Sequence, residues 1–184
     1  DKEYIEGLAG LWCASLGFDN ERLAQAAYKQ MQVLPFYHGF TGRSHTPMIE
    51  LAEMLLERAP VPMSKVFFAN SGSEANDTAI KMIWYFNNAL GRPAKKKIIG
   101  RIRGYHGITI AAASVTGQAA NHKAFDVPLP GFLHLQCPTF YHNGKPGETE
   151  EQYATRCAEE LEALIAREGA DTIAAMFAEP IMGA

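Results

Sequence analysis

The chain has 184 residues and a mass of 20.2 kDa, which is room for a domain with a sizeable buried core. Hydrophobic residues make up 47% of the chain and charged residues 20%, values that exclude an intrinsically disordered protein and a coiled coil. The formal net charge of −3 gives no electrostatic basis for binding nucleic acid.

Cysteine and histidine spacing exclude two further classes of protein. Cys13, Cys137 and Cys157 are odd in number and far apart, which fits neither a disulfide framework nor a zinc site. The six histidines show no metal-ligand spacing, so we predict no metal. Free thiols favour a reducing compartment, and we predict the cytoplasm. No apolar run approaches the roughly 20 residues of a membrane span, so we predict no membrane partner.

Both ends of the sequence indicate a fragment of a longer protein. The chain opens at once on a patterned segment, residues 4–18, and closes directly after a strand-like run. Complete domains more often end in a polar tail or a docked helix.

The first third of the chain predicts two helices. Residues 4–16 are short, apolar and punctuated by glycine, a pattern typical of small strands and turns. Residues 19–32 have helical spacing, with Asp19 or Asn20 as the cap. A second helix is expected to begin at Thr46 as N-cap, with Pro47 in the first turn.

From residue 66 onward, strand and helix patterns alternate. Strands are predicted at 66–69, 97–103, 132–136 and 172–178, and helices at 74–90, 107–115 and 149–167. Residues 117–130 and 138–147 are predicted to be loops. This alternation favours an α/β fold with a layered, mostly parallel sheet.

The segment Ser71-Gly72-Ser73-Glu74 joins a predicted strand to a long helix. Small polar residues at a helix N-terminus, with free backbone N–H groups behind them, form a binding site for phosphate. The alternative is plain capping, with Ser71 as N-cap and Glu74 as the reciprocal acid of a capping box. No Walker or Gly-x-Gly-x-x-Gly motif is present, so a nucleotide is not the preferred ligand.

Two further strands end in residues that suit a ligand. Tyr105 and His106 lie between Gly104 and Gly107 after the strand at 97–103, and Glu179 follows the strand at 172–178. Taken singly, they would be read as a turn with a half-buried tyrosine and as a loop acid. Ligands bind at the carboxyl ends of parallel strands, so we expect both to lie beside the 71–73 segment. A phosphate site, an aromatic ring and a carboxylate together predict a phosphorylated, planar aromatic cofactor.

These motifs resemble those of the class III, pyridoxal-phosphate-dependent aminotransferases. The segments 71–76 (SGSEAN), 105–107 (YHG) and 179–180 (EP) match in order and spacing. The segments 7–13 (GLAGLWC), 34–37 (LPFY) and 45–47 (HTP) resemble the ω-amino acid or amine:pyruvate transaminase branch, and the resemblance covers essentially the whole chain.

The resemblance implies fold type I: a three-layer large domain around a mostly parallel sheet, and a smaller domain built from both chain ends. Residues 1–45 would then be an N-terminal segment contributing to the small domain and to an active-site loop. Residues 46–184 would be an incomplete cofactor-binding large domain.

The resemblance also implies roles for matching residues. Gly72 and Ser73 would hold the phosphate of pyridoxal 5'-phosphate, Tyr105 would stack on its ring, and Glu179 would lie near the 3-hydroxyl group. Trp12 and Phe40 would line the substrate pocket, although on their own they would be read as core residues. Asn76 is interpreted only as a helix-start residue. The implied cofactor-binding set is Ser71, Gly72, Ser73, Tyr105, His106 and Glu179.

The family's Schiff-base lysine, and the aspartate that pairs with the pyridine nitrogen, are expected beyond Ala184. The fragment is therefore predicted to be inactive alone. None of the lysines present matches a catalytic position: Lys2, Lys29, Lys65, Lys81, Lys95, Lys96, Lys97, Lys123 and Lys145.

The preferred prediction is a homodimeric aminotransferase that moves an amino group from an amine or ω-amino acid to an α-keto acid such as pyruvate. Glutamate-1-semialdehyde aminomutase and ornithine-type aminotransferases are alternatives within the family. A non-catalytic phosphosugar-binding α/β module is the alternative outside it. Tyr105 discriminates between these classes, because a sugar phosphate needs no aromatic ring against a flat ligand.

Overall fold

The computed structural model describes residues 2–183 and divides the chain after Val66 into two compact units. The predicted division at residue 45 concerns the small and large domains of the complete enzyme and stays a prediction.

The first unit contains three helices: α1 (Ala9–Trp12), α2 (Glu21–Val33) and α3 (Thr46–Arg58). Helix α2 is capped by Asn20, whose side chain accepts a hydrogen bond from the backbone N–H of Leu23 at 3.1 Å. The helix predicted from Thr46 is present, but His45 occupies the N-cap position and Thr46 is already helical. Helix α3 ends at Arg58, just before the prolines at 60 and 62.

The strands predicted within residues 4–16 are wrong. Over Ala9–Trp12 the chain forms one helical turn in which every φ is positive, including 60° at Gly10. A strand requires a hydrogen-bonded neighbour, and the described part of this unit offers none. Short apolar segments rich in glycine therefore have no preference strong enough to predict strands by themselves.

The second unit alternates helices and strands. Its helices are α4 (Gly72–Ala89), α5 (Ile110–Val115), α6 (Phe140–Asn143) and α7 (Glu150–Glu168). Its strands are β1 (Lys97–Arg101), β2 (Phe132–Leu135) and β3 (Ile173–Met176). None of the helices in the described residues has both the length and the apolar character of a membrane span.

The strands form one sheet in the order β2-β1-β3, and both pairings are parallel. Ile98 of the central strand β1 lies opposite Phe132 of β2 and Ala175 of β3. All three carboxyl ends therefore point the same way. The segments that follow β1 and β3 start from the same edge of the sheet.

The core has two apolar clusters, one on each face of β1. Ile98 packs with Ile80 of α4, Val115 of α5 and Phe132. Its neighbour Ile99 faces the other way and packs with Leu135 and with Leu164 of α7. Alternation along the strand thus separates α4 and α5 on one face from α7 on the other. The predicted three-layer α/β arrangement with a parallel sheet is confirmed.

The buried strand predicted at residues 66–69 is wrong. These residues pair with no strand in the described part of the chain, and the side chain of Phe67 is 66% exposed. An apolar run with two aromatics has the composition of a buried strand, but only a neighbouring strand makes it one.

Two other features of this unit differ from the prediction, and one helix cap agrees with it. Helix α5 begins three residues later than predicted, because Gly107 has φ = +132° and Thr109 is extended. The predicted loop at 138–147 contains the short helix α6. The predicted capping box of α7 is present: Thr149 and Gln152 exchange hydrogen bonds between side chain and backbone at 3.2 and 2.8 Å.

Candidate functional site

The candidate site is built around residues 104–109, which follow strand β1 and are named here the Tyr105 loop. The backbone N–H of Tyr105 donates to Glu179 Oε1 at 3.0 Å. Further along the loop, the backbone N–H of Ile108 donates to Ser73 Oγ at 3.0 Å. The loop therefore joins the start of helix α4 to the segment after strand β3.

The structure thus brings Ser73, Tyr105 and Glu179 together, as their positions after predicted elements indicated. Tyr105 is half exposed. Trp12 and Phe40 lie in the first unit, where their side chains are 67% and 79% exposed. The core packing that these two residues would have by default is not found in that unit, and their pocket role stays a prediction.

The start of α4 separates the helix cap from the proposed phosphate site. Ser71 is the N-cap, and its side chain accepts from the backbone N–H of Glu74 at 3.2 Å. Glu74 does not return a bond to Ser71 as a capping box would; its Oε2 accepts from the N–H of Asn70 at 3.0 Å. The capping interpretation therefore applies to Ser71 and leaves Ser73 for another role.

The groups next to this cap suit an anion. Among the hydrogen bonds of residues 2–183, none uses the backbone N–H of Gly72 or Ser73. The Ser73 hydroxyl accepts from Ile108 and keeps its own proton to donate. A Cβ added at Gly72 would have no heavy atom within 4 Å, so the chain is uncovered on that side of Gly72. A helix N-terminus with three such donors can hold a phosphate group.

Two residues near the start of α4 act on the Tyr105 loop and were missed by the sequence analysis. Asn76, interpreted only as a helix-start residue, donates from Nδ2 to the backbone oxygen of His106 at 2.6 Å. Asp77 Oδ1 accepts from Thr109 Oγ1 at 2.8 Å and from the N–H of Ala112 at 3.0 Å. Asp77 therefore supplies the N-terminal cap that α5 lacks within its own sequence.

A signal for these two residues was present in their spacing. Ser73, Asn76 and Asp77 stand at positions i, i+3 and i+4, which lie on one face of a helix. Three polar side chains on one face at the start of the helix indicate a contact with a neighbouring backbone. The sequence could not show which backbone that is.

Thr116 is the third support of the loop and had no recognisable signal. Its fully buried Oγ1 accepts from the N–H of His106 at 2.9 Å and contacts the backbone oxygen of Gly107 at 3.3 Å. A threonine at the end of a short helix is otherwise an ordinary feature. With this contact, the polar backbone groups on both sides of Tyr105 are satisfied, and the loop holds its ring in one place.

The carboxylate of Glu179 is held in its ionised form. Arg101 Nη2 donates to Glu179 Oε2 at 3.0 Å and also to the backbone oxygen of Glu179. Burial alone would raise the pKa of Glu179, but hydrogen bonds from backbone N–H groups and from Arg101 outweigh burial and leave this pKa below its usual value. The site therefore presents a fixed negative charge near neutral pH.

His106 faces the same carboxylate and is neutral near pH 7. Burial lowers the pKa of His106, and the negative charge of Glu179 offsets part of that effect. The ring is edge-on to Phe177, with centroids 6.1 Å apart. Its Nε2 lies 3.9 Å from Glu179 Oε2, beyond hydrogen-bond distance.

Comparison with protein-family models assigns the whole chain to one family. Residues 1–184 match the model described as Aminotransferase class-III. The chain belongs to the class III aminotransferases. The family predicted from the motifs at 71–76, 105–107 and 179–180 is therefore confirmed.

Characterised class III aminotransferases resemble this chain along its entire length. A γ-aminobutyrate transaminase 1, mitochondrial, from Solanum lycopersicum is 54% identical over 184 residues, which are 100% of this chain and 36% of the relative. A vanillin aminotransferase from Capsicum chinense is 52% identical over 184 residues, 100% of this chain and 40% of the relative. The chain thus spans well under half the length of these relatives.

Solved transaminase structures have the same fold. An ω-transaminase from Pseudomonas jessenii in complex with PMP is 63% identical and superposes with a TM-score of 0.96 over 98% of this chain and 40% of that chain. An ω-aminotransferase from Paracoccus denitrificans is 48% identical, with a TM-score of 0.95 over 99% of this chain and 40% of that chain. Within class III, the aminomutase and ornithine-type alternatives stay open. The alternative of a phosphosugar module outside the family is set aside.

Proposed function

We propose that the complete protein is an aminotransferase that moves an amino group from an amine or ω-amino acid to an α-keto acid such as pyruvate. The observation that carries the proposal is the Tyr105 loop, held between Ser73 of α4 and Glu179 after β3. Family membership and the named relatives, which include γ-aminobutyrate and ω-transaminases, support the same reaction.

We propose pyridoxal 5'-phosphate as the cofactor, and the donors present fit it. The free N–H groups of Gly72 and Ser73, with the Ser73 hydroxyl, suit a phosphate dianion, and Ser71 keeps the helix start in place. The Pseudomonas jessenii ω-transaminase was solved in complex with PMP, the amine form of this cofactor. When bound, the cofactor supplies the electrophilic carbon and the electron-withdrawing ring that amino-group transfer needs.

The ring would meet three residues of this chain. Tyr105 would cover one face of the ring and exclude water from it. Glu179, kept ionised by Arg101, would offer an acceptor near the 3-hydroxyl group. His106 would back the loop as a neutral, buried group, which avoids a second positive charge near Arg101.

The rest of the catalytic machinery belongs to the proposal for the complete enzyme. Trp12 and Phe40 would line the substrate pocket, and residues 1–45 would contribute to the small domain. The Schiff-base lysine would come from the part of the relatives that this chain does not span. We keep the cytoplasm as the proposed compartment, supported by the free thiols of Cys13, Cys137 and Cys157.

Replacing Tyr105 with alanine tests the cofactor proposal in the full-length protein. We expect binding of pyridoxal 5'-phosphate to weaken by roughly tenfold, because an aromatic stack contributes about 0.5–1.5 kcal/mol beyond its buried area. Tyr105→Phe keeps the ring and should bind almost as tightly as the wild type. A sugar phosphate serves as the control ligand, and Tyr105→Ala should not change its binding.

The donor class is read from the cofactor spectrum of the same protein. A phenylalkylamine, γ-aminobutyrate and ornithine are each added without acceptor, and the loss of the cofactor's absorbance is followed; pyruvate then restores it. Ornithine as the preferred donor would favour the ornithine-type alternative. Failure of every amine to change the spectrum of bound cofactor would contradict the transaminase proposal.

We further propose a homodimer. Large apolar side chains are exposed beside the site, among them Ile108, Ile110 and Phe125. Contiguous exposed apolar surface is typical of an interface. Light scattering on the full-length protein is expected to give twice the subunit mass, and a stable monomer at micromolar concentration would contradict the proposal.

A further inference from the structure

Arg101 is the last residue of the central strand β1, and its guanidinium is turned toward the site. Its side chain is 14% exposed, and that of Glu179 is 20% exposed. One nitrogen, Nη2, donates both to the carboxylate and to the backbone oxygen of Glu179. Arg101 therefore constrains the position of the Glu179 backbone as well as the direction of its side chain.

The same carboxylate has a second partner on the Tyr105 loop. Glu179 Oε2 accepts from Arg101, and Oε1 accepts from the N–H of Tyr105 at 3.0 Å. One carboxylate therefore connects the end of β1 with the residue that would stack on the cofactor. No other side chain in the described residues hydrogen-bonds the backbone N–H of Tyr105.

The packing around this connection leaves little freedom. A methyl group added at Gly104 would lie 2.9 Å from the backbone oxygen of Arg101, 3.1 Å from Glu179 Oε1 and 3.2 Å from His106 Nε2. Nothing larger than glycine fits between these groups. Glycine at position 104 therefore lets the backbone lie close to the carboxylate of Glu179 and to the imidazole of His106.

We propose that Arg101 is a positioning residue of the site: it fixes the carboxylate of Glu179, and through that carboxylate it fixes Tyr105 against the cofactor ring. The part of this inference that concerns the cofactor ring rests on the proposed function. A buried ion pair of this kind adds little net stability compared with apolar residues, but removing one partner leaves an uncompensated charge. The Arg101–Glu179 pair therefore serves to position Tyr105 more than to stabilise the fold.

The pKa of His106 can be used to monitor the Arg101–Glu179 ion pair in the cofactor-free protein. Three titratable or charged groups act on its imidazole: Glu179 after β3, Arg101 on β1 and His134 on β2. Helix α4 faces it with the neutral amide of Asn76, while the carboxylate of Asp77 is engaged by Thr109 and Ala112. Its Nε2 has no hydrogen-bond partner and is buried, so a released Glu179 carboxylate could accept a bond from it.

The first test measures the pKa of His106 by NMR in the cofactor-free, full-length protein, with the resonance assigned through His106→Gln. Arg101→Met should raise this pKa, because a positive neighbour is lost and the freed carboxylate of Glu179 remains. Arg101→Lys keeps the charge and should keep the pKa near that of the wild type. Glu179→Gln should shift it in the opposite direction, downward.

A matched control comes from the other end of the same strand. Lys97→Met breaks the ion pair of Lys97 with Glu168, whose atoms are 2.9 Å apart, and should leave the pKa of His106 unchanged. An unchanged or lowered pKa in Arg101→Met would overturn the proposal. If Arg101→Met does not fold, a pKa of His106 that fails to fall in Glu179→Gln overturns it instead.

The second test asks whether Arg101 acts through Tyr105. Arg101→Met is expected to weaken binding of pyridoxamine phosphate by about tenfold in the wild-type background. In the Tyr105→Ala background it should cause a smaller loss, since the tyrosine that it positions is gone and only the contact of Glu179 with the 3-hydroxyl group can still be weakened. Equal losses in both backgrounds would overturn the positioning role. Failure of the wild type to bind the cofactor would instead contradict the proposed function, and the NMR test would still stand.

Discussion

Replacing Ser73 with alanine is expected to weaken binding of the phosphorylated cofactor by about one to two orders of magnitude. A charge-assisted hydrogen bond to a phosphate dianion contributes roughly 1.5–3 kcal/mol. The hydrogen bond that Ser73 accepts from Ile108 is also lost. The backbone N–H of Ile108 belongs to an exposed residue, so it can donate to a water molecule instead. The loss should therefore appear in cofactor affinity more than in stability.

Ser71→Ala is the matched control, because Ser71 is the cap of the same helix. Its loss should lower the stability of the protein by about 0.5–2 kcal/mol and leave cofactor affinity close to that of the wild type. Opposite effects of two serines only two residues apart would separate the helix cap from the phosphate site.

The measurement uses pyridoxamine phosphate as the probe, titrated calorimetrically into cofactor-free, full-length protein. This amine cannot form a covalent link with a lysine, so such a link cannot hide a weakened phosphate contact. Pyridoxamine without its phosphate should bind equally well to wild type and Ser73→Ala. An unchanged affinity of Ser73→Ala for pyridoxamine phosphate would remove Ser73 from the cofactor site.

Gly107→Ala is expected to lower both the stability of the protein and its affinity for the cofactor. The added carbon would overlap Ser73 Oγ and would lie 2.9 Å from Ser73 Cα and from Ala112 Cβ. The backbone at Gly107 also has φ = +132°, where an L side chain is strained by about 1–3 kcal/mol. Both terms push the Tyr105 loop away from α4, so we expect loss of stability together with loss of cofactor binding.

Gly131→Ala is the control that separates the effect of backbone strain from the effect of steric overlap. Gly131 also has a positive φ, 91°, but a side chain there would meet no atom within 4 Å. It should lower stability through strain alone and leave cofactor affinity unchanged. Thermal unfolding and pyridoxamine phosphate titration of both variants give the comparison. If Gly107→Ala binds the cofactor as well as Gly131→Ala, the loop does not depend on its close contact with α4.

Local chemistry was sufficient to predict the four longest helices, α2, α3, α4 and α7. The capping box of Thr149 and Gln152 and the cap at Asn20 involve residues three apart, so their geometry follows from the neighbouring sequence alone. The strands β1, β2 and β3 were also predicted, because each is an apolar run between clear breaks.

The same reasoning failed for two segments that would need a neighbouring strand to form a strand themselves. The apolar run at residues 66–69 has the composition of a strand, but strand identity comes from hydrogen bonds to another segment. The expected strands at residues 4–16 failed for the same reason. A short run of residues cannot specify a neighbour that lies elsewhere in the chain.

The candidate site divides in the same way. The sequence by itself determined that Tyr105 and Glu179 follow strands of one parallel sheet, so their common edge could be predicted. The strand expected before Ser71 is absent, and Ser73 meets the Tyr105 loop from the start of α4. Only the tertiary structure decided what holds them: Arg101 reaches Glu179 across 78 residues, and Asn76 reaches His106 across 30. Such contacts depend on where two distant backbones meet in the folded chain. The pattern of neighbouring residues does not show which distant segments meet in the folded chain, so these two contacts could be identified only from the tertiary structure.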